Sequence, residues 1–392
     1  MKKEVFIVAV ARTPIGSFGG SLAGFTAPQL GSIAIKAVME RSGVPLDHVD
    51  EVLMGNVLAA NLGQAPATQA ALGAGLKNTT PCTLINKVCA SGMKAVMLGA
   101  QAIQNGDAHI IVAGGMESMS NVPHYLPMRN GLKLGHGQLT DGLIKDGLWD
   151  VYNDFHMGNC GEMCADKYEL TREDQDAYAI ESYNRAQASI KAGLFDQEIV
   201  PVSIPQKKGD PIVFSQDEDA FKVFFDKIPT LSPVFKKGGT VTAANASNLN
   251  DGAVALMLAS QESVDRFQLK PIARILSWAD AAREPEWFSI APADALPKAL
   301  HKAKLDTGNL DAIEINEAFS SVALANNKIL KLDAKKVNSL GGAVALGHPL
   351  GASGARIILT LLTALKKESG KFGAAAICNG GGGASAVVVE LL

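Results

Sequence analysis

The sequence predicts an α/β fold built from two similar halves with an irregular segment inserted between them. Short apolar runs alternate with helical patterns in the first and last thirds of the chain, the pattern of a mostly parallel sheet with helices on both faces. An order of small residue, Ser, Gly, then helix, strand and glycine-rich turn occurs twice, once from Ala90-Ser91-Gly92 to Gly114-Gly115 and once from Ala352-Ser353-Gly354 to Gly380–Gly383. Such a repeat is the mark of related units. The middle of the chain has neither pattern.

Strands are expected at residues 5–10, 51–56, 108–114, 312–315 and 374–377, each a short run rich in Val, Ile, Leu or Ala. The helical patterns between them cover residues 26–42, 89–105, 293–303 and 351–367. Residues 121–148 are rich in Gly, His and Lys and lack a period. A polar helix follows over residues 171–192, where Thr171-Arg172-Glu173-Asp174 reads as a capping box. Pro, Lys and Asp dominate residues 201–237. The division expected is therefore residues 1–118 as the first half, 119–249 as an inserted loop domain over the active-site face, 250–271 as a return to the first half, and 272–392 as the second half. Long insertions of this kind are commonly binding loops.

Composition limits the function. Of 392 residues, 47% are hydrophobic and 19% charged, a globular composition, and the formal net charge of −3 gives no basic field for nucleic acid. No stretch reaches the roughly 18 apolar residues of a membrane span. Five cysteines are an odd count with no disulfide framework, so a reducing, cytoplasmic setting is expected. Cys160 and Cys164 lie four apart on one helix without a second ligand pair and read as core. Nucleotide-binding glycine motifs and His-Glu-x-x-His are missing, which leaves nucleotide hydrolysis and zinc proteolysis without a signature.

Three distant segments carry the chemistry. Cys89 sits in Asn86-Lys87-Val88-Cys89-Ala90-Ser91-Gly92 at an expected helix start, where the helix dipole would favour a thiolate. His348 is fixed by Pro349 and can accept a thiol proton or bond a carbonyl oxygen. Cys378 precedes Gly380–Gly383, whose bare backbone can face an oxyanion. Asn316 follows a strand and can hold a carbonyl or a water, or cap the next helix. Each of these residues also has a plain structural reading, as core thiol, buried imidazole or turn. The glycine-rich surroundings favour a ligand that approaches the backbone closely.

Together these segments resemble the thiolase family. The resemblance runs through residues 10–16, 86–92, 113–120, 239–247 and 316–319 and through the His348 and Cys378 segments. It implies a five-layered αβαβα architecture of two similar halves with mixed sheets, an inserted loop domain and a homotetramer. It implies reversible Claisen chemistry on coenzyme A thioesters, with acetyl-CoA, acetoacetyl-CoA and CoA as partners, no organic redox cofactor, and a place in lipid metabolism such as ketone-body or polyhydroxyalkanoate turnover. By motif, Cys89 is the acylated nucleophile, His348 activates it, and Cys378 moves the α-proton. Asn316 holds a water in one oxyanion hole with His348, and the N–H groups of Cys89 and Gly380 form the other. Ser247, His156, Met157, Phe235, Leu249, Ala318, Phe319 and Phe288 match positions around the pantetheine arm and acyl group, with Tyr183, Lys222 and Lys227 toward the nucleotide end. Relatives carry Arg where this chain has residues 219–225, so Lys222 and Lys227 give point charges in place of a bidentate fork.

Residues 279–285 with Phe288 resemble the mitochondrial short-chain branch, which includes potassium-activated enzymes that accept 2-methylacetoacetyl-CoA. Its ion site matches Tyr183, Ala243, Ala244, Ala246 and Val344. Alternatives stay open at this level: a degradative 3-ketoacyl-CoA thiolase, a β-ketoacyl synthase, a cysteine hydrolase, or a lipid carrier of the same ancestry. The second cysteine in Cys378-Asn379-Gly380 favours thiolase over synthase, which pairs one Cys with two His or with His and Asn.

Overall fold

The computed structural model describes residues 3–392. Its main strands are β1 (Val5–Arg12), β2 (Glu51–Gly55), β3 (Cys82–Ile85), β4 (Ile110–Ser118), β5 (Asn250–Ser260), β6 (Ala273–Ala282), β7 (Ala312–Ile315), β8 (Phe372–Asn379) and β9 (Gly383–Leu391). The main helices are α1 (Ala27–Ser42), α2 (Pro66–Gly73), α3 (Ser91–Asn105), α4 (Gly158–Tyr168), α5 (Arg172–Lys191), α6 (Pro292–Ala303), α7 (Ser320–Leu330) and α8 (Leu350–Glu368).

Alternation along each strand sends side chains into different cores. Val5 and Ile7 of β1, Leu256 and Leu258 of β5, Ile377 of β8 and Val387 of β9 share one cluster with α3 and α8. The opposite faces of β1 and β5, through Phe6, Val8 and Met257, pack on α1 and α2. The opposite faces of β8 and β9, through Ala374, Ala376 and Val388, pack on α6. The layers are therefore helix, sheet, helix, sheet, helix. The central layer is the most apolar: Ile357, Ile358, Leu361 and Leu365 of α8 are fully buried, each contributing about 1.5–3 kcal/mol.

The two half-sheets join in one ten-stranded ladder, ordered β7-β8-β9-β6-β1-β5-β4-β2-β3, with the short strand Gly16–Ser17 added beside β5. The seam is narrow: among the described residues the ladder between β6 and β1 pairs Phe6 with Arg274 and Ile7 with Ala273. The expectation of a mostly parallel sheet is corrected. Parallel pairing is confined to β2 with β3, β2 with β4, and β7 with β8. The remaining pairs are antiparallel, because turns such as Gly380–Gly382 between β8 and β9 are far too short for a crossover.

The glycine pair of the first repeat is also not a turn. Gly114 and Gly115 lie inside β4, where a Cβ on Gly114 would stand 2.0 Å from the Val254 carbonyl oxygen. Other elements follow their sequence signals. Thr26 caps α1 and bonds Gln29 in a capping box, and Gly43 ends it with φ 70°. Thr171 and Asp174 form the capping box of α5.

The chain leaves the sheet after Ser118 and returns at Asn250, and α4 and α5 of that excursion pack on α7. Arg12 ties it to β1. Its guanidinium bonds Glu198 at 2.7 Å and Asp217 at 2.7 and 2.9 Å, all three side chains buried. Removing one partner of such a cluster costs about 3–5 kcal/mol.

Candidate active site

Cys89 lies two residues before α3, after a strained turn. Val88 has φ 47°, a left-handed conformation that costs a β-branched residue about 1–3 kcal/mol. The turn is held from several sides. Val88 N–H donates to Asn86 Oδ1 at 3.0 Å, and Ser91 Oγ donates to the Val88 carbonyl at 2.6 Å and accepts Lys87 N–H at 2.8 Å. Lys87 reaches into the other half: its ammonium meets Asp280 of β6, Ser385 Oγ at 2.7 Å and the Ala384 carbonyl at 3.2 Å. The expected depression of the thiol pKa is reversed. Burial pushes Cys89 up to about 12, only partly opposed by the N–H groups of Gly380 and of Cys89 itself. The thiol is therefore protonated at rest.

His348 precedes α8, and its N–H donates to Asn250 Oδ1 at 2.8 Å. Its Nδ1 is 2.6 Å from Ser353 Oγ, which in turn donates to the Pro349 carbonyl at 2.9 Å. A hydroxyl has one proton. Since that proton is given to Pro349, Ser353 must accept from Nδ1–H, and Nε2 carries the free lone pair. Nε2 is buried without a protein partner. Burial, and then the cationic Arg356, lower the imidazole to about 3, so it is neutral.

Cys378 is the penultimate residue of β8, opposite Ala384, and is buried. Burial, followed by the nearby Cys89, raises its thiol well above the usual range. Asn316 follows β7, anchored by its N–H on the Ala376 carbonyl at 3.0 Å, while both polar atoms of its buried side chain lack a protein partner. Leaving such groups unpaired costs about 1–3 kcal/mol each, which marks the place as one kept for a bound polar group.

The two repeats bring these residues together. A Cβ on Gly92 would stand 2.8 Å from the Gly351 oxygen, and one on Gly354 would stand 2.6 Å from Met93 N. The first turns of α3 and α8 therefore cross at their small residues, with Cys89 before one and His348 before the other. The Gly380 N–H reaches Cys89 across the gap. Cys378 shares a compact apolar cluster with Met157, Ala318, Phe319, Ala246 and Phe288.

A cavity of about 360 Å³ opens from His348, lined by His156, Phe235, Ser247, Leu249 and Phe319. His156 stacks on Phe235 at 4.7 Å, and Phe235 meets Phe319 edge-on at 6.2 Å. Burial lowers the His156 pKa, which leaves an apolar, uncharged wall. Through Ala243, Asn248 and Leu249 the cavity continues into a surface cleft of about 450 Å³, lined by Tyr183, Lys222 and Lys227. Lys222 is engaged there, bonding Ser17 Oγ at 2.7 Å and Glu218 at 3.0 Å. Lys227 lies over the Phe224 ring at 4.7 Å. Met157 and Gly380 line another cavity, of about 600 Å³, that reaches Val88.

The positions matched to potassium form one neighbourhood. Ala243 and Ala244 border the cleft with Tyr183, and Ala243 and Ala246 border the inner cavity. Glu317 accepts Ser182 Oγ at 2.8 Å, beside Tyr183, and Val344 N–H at 3.0 Å. Carbonyl and phenol oxygens suit a hard cation. The sequence reading assigned no role to Ser353, Asn250, Lys87 or Glu117. Only Ser353 had a local signal, five residues after His348 on the helix that His348 precedes.

Family models describe both ends of the chain: that of the thiolase N-terminal domain matches residues 5–262 and that of the thiolase C-terminal domain residues 269–391. Acetyl-CoA acetyltransferase 1 of Arabidopsis thaliana is 58% identical over 393 residues, covering 100% of this chain and 95% of that protein. The cytosolic acetyl-CoA acetyltransferase ERG10 of Gibberella zeae is 56% identical over 390 residues, covering 99% and 98%. A crystal structure of Acat5 thiolase from Ascaris suum in complex with coenzyme A superposes with a TM-score of 0.95 at 48% identity, over 100% of both chains.

Proposed function

This chain belongs to the thiolase family and is an acyltransferase, an acetyl-CoA acetyltransferase, and we propose that it joins two acetyl-CoA into acetoacetyl-CoA and CoA, reversibly, through an acetyl group on Cys89. The observation that carries the assignment of residues is the neutral His348, its Nε2 buried without a partner, before a helix whose first turn crosses that of the helix Cys89 precedes, with the second buried thiol, Cys378, close to Cys89.

Proton positions at rest support one order of events. As Cys89 Sγ bonds the thioester carbon, its proton passes to His348 Nε2. The tetrahedral oxyanion rests on the Cys89 and Gly380 N–H groups. It collapses with loss of CoA thiolate, which takes its proton from Cys378. The enzyme now holds acetyl-Cys89, imidazolium and a Cys378 thiolate. A second acetyl-CoA gives its α-proton to Cys378, and its enolate oxygen is held by His348 and Asn316. The enolate carbon attacks acetyl-Cys89, and the departing Cys89 thiolate recovers the proton from His348. All three groups return to their resting states. Neither cysteine needs a lowered pKa in the empty site, because each is charged only opposite imidazolium.

Ser247, His156, Met157, Phe235, Leu249, Ala318 and Phe319 hold the pantetheine and acyl portions in this proposal, and Phe288 flanks the acyl end and leaves room for a 2-methyl branch. Tyr183, Lys222 and Lys227 face the nucleotide, with Lys227 as the freer charge. Residues 119–249 act as the loop domain between the halves 1–118 with 250–271 and 272–392. Carbonyls of Ala243, Ala244, Ala246 and Val344 with Tyr183 would hold potassium, stiffening the loop that carries Ser247. A homotetramer is supported by exposed Leu126, Met128, Leu132 and Leu134 in the irregular segment. A cytoplasmic site is supported by five free cysteines.

The test is an assay of acetoacetyl-CoA plus CoA, which should yield two acetyl-CoA per turnover. Mass spectrometry of protein quenched with acetyl-CoA should show one acetyl group, on the Cys89 peptide. An unmodified Cys89 in active enzyme would overturn the reading.

A further inference from the structure

Glu117 is a fully buried carboxylate that the proton transfers above do not use. Its four acceptor positions are all taken. Oε1 accepts Asn56 Nδ2 at 2.6 Å and Leu58 N–H at 3.1 Å. Oε2 accepts Val57 N–H at 3.0 Å and Gly351 N–H at 2.8 Å. The first three donors belong to the loop after β2 in the first half. The fourth belongs to the first turn of α8 in the second half, three residues from His348.

The carbonyl of the same residue is seated as closely. Cβ atoms on Gly55, Gly92 and Gly115 would stand 2.8, 2.8 and 2.0 Å from the Gly351 oxygen. Three glycines of the first half thus surround the carbonyl, while a carboxylate of the first half takes the N–H. One of those glycines, Gly92, is three residues from Cys89. A buried carboxylate with no cation bonded to it is costly, and burial raises its pKa to about 7 against the pull of the Gly351, Val57 and Leu58 N–H groups.

We propose that Glu117 is a positioning residue: by holding the Gly351 peptide in the glycine socket, it fixes His348 relative to Cys89 across the two halves. The proposal rests on the reading that Cys89 and His348 carry the acyl transfer. A shift of the Gly351 peptide moves Pro349 and His348 with it, and a displacement near 1 Å is enough to cost a reaction about 100-fold.

Glu117→Gln keeps the shape and places an amide N–H₂ against two donors, whichever way it turns. Its kcat for acetoacetyl-CoA cleavage should fall about 30-fold with KM within about threefold, because the cavity walls are untouched. Its melting temperature and thiol titration monitor the fold. The discriminating measurement repeats the substitution in the His348→Ala enzyme. Acting through His348, Glu117→Gln should remove little further residual turnover there. Asn56→Ala, which loosens the carboxylate without removing it, is the second variant, with an expected fall of about fivefold and the same dependence on His348. A kcat within twofold of the parent in both variants, or losses that multiply in the His348→Ala background, would overturn the positioning role. A His348→Ala enzyme as active as its parent would instead overturn the catalytic reading itself.

Discussion

The Ser353 hydroxyl accepts the Nδ1–H of His348 at 2.6 Å while giving its own proton to the Pro349 carbonyl. That single bond selects the tautomer that leaves Nε2 basic. Ser353→Ala removes the acceptor, so both tautomers become available and Nδ1–H is left buried. The kcat should fall about 10- to 50-fold, in line with the ~1–3 kcal/mol cost of an unsatisfied buried donor. KM for CoA should stay within twofold, because Ser353 does not line the cavity. Steady-state kinetics on the folded variant decide this.

Cys378→Ser should still acquire the acetyl group on Cys89 but lose most condensation and thiolysis. A hydroxyl is far less acidic than a thiol, so it cannot serve as the base for the α-proton, whereas CoA thiolate can still leave Cys89 by taking its proton from imidazolium. Rapid-quench mass spectrometry separates the two halves of the reaction. Turnover within about tenfold of the parent, ~1.4 kcal/mol in barrier height, would exclude Cys378 as the proton carrier.

Asp280 gathers Lys87, Lys94 at 2.6 Å and Ser385 at 2.6 Å, and so ties the nucleophile turn to β6 and β9. Burial works against its charge, but these partners outweigh it and hold the carboxyl down at about 2. The folded pKa lies below the unfolded one, so the contribution is present above pH ~4 and is lost as pH falls through ~2. Between pH 5 and 8 the tie should add no break to the rate profile. Lys87→Met should slow acetylation of Cys89 about fivefold, since the side chain is partly exposed and such pairs are weak. A pre-steady-state measurement of acetyl-enzyme formation checks it.

Acyl length should matter steeply. The cavity at His348 is lined by His156, Phe235 and Phe319, and each misfitted methylene in such a pocket costs about 1–3 kcal/mol. Rates of thiolysis should collapse beyond about six acyl carbons, while a 2-methyl substituent should be tolerated. Efficient cleavage of a long-chain 3-ketoacyl-CoA would place the enzyme among degradative thiolases. Comparing potassium and sodium buffers at equal ionic strength tests the ion site in the same assay.

How far these features could be read from sequence depended on how local their signals are. Cys89, His348, Cys378 and Asn316 stand out because each lies in a short segment of small or turn-forming residues, and the two small–Ser–Gly segments do pack on each other. The strand and helix runs were read to within a few residues in most cases, since burial on one face imposes a period. Three things were not local. The antiparallel pairing of β5 and of β6 with β1 depends on how the chain returns from the irregular segment. The pKa of Cys89 depends on burial, which overrides the helix start. Glu117 and Gly351 are 234 positions apart, and nothing near either one names its partner.

The narrow seam between the half-sheets has a consequence for the order in which the chain is made. Cys89, its strained turn and the glycine socket are synthesised early. The imidazole, the second thiol, Asn316 and the Ser385 that steadies Lys87 all follow β6. Until those residues are made, Cys89 has its own N–H but lacks the Gly380 N–H, the imidazole and the second thiol, so the proposed acyl transfer has a nucleophile without its base. In that reading turnover waits for α8, β8 and β9, the last parts of the chain to be made.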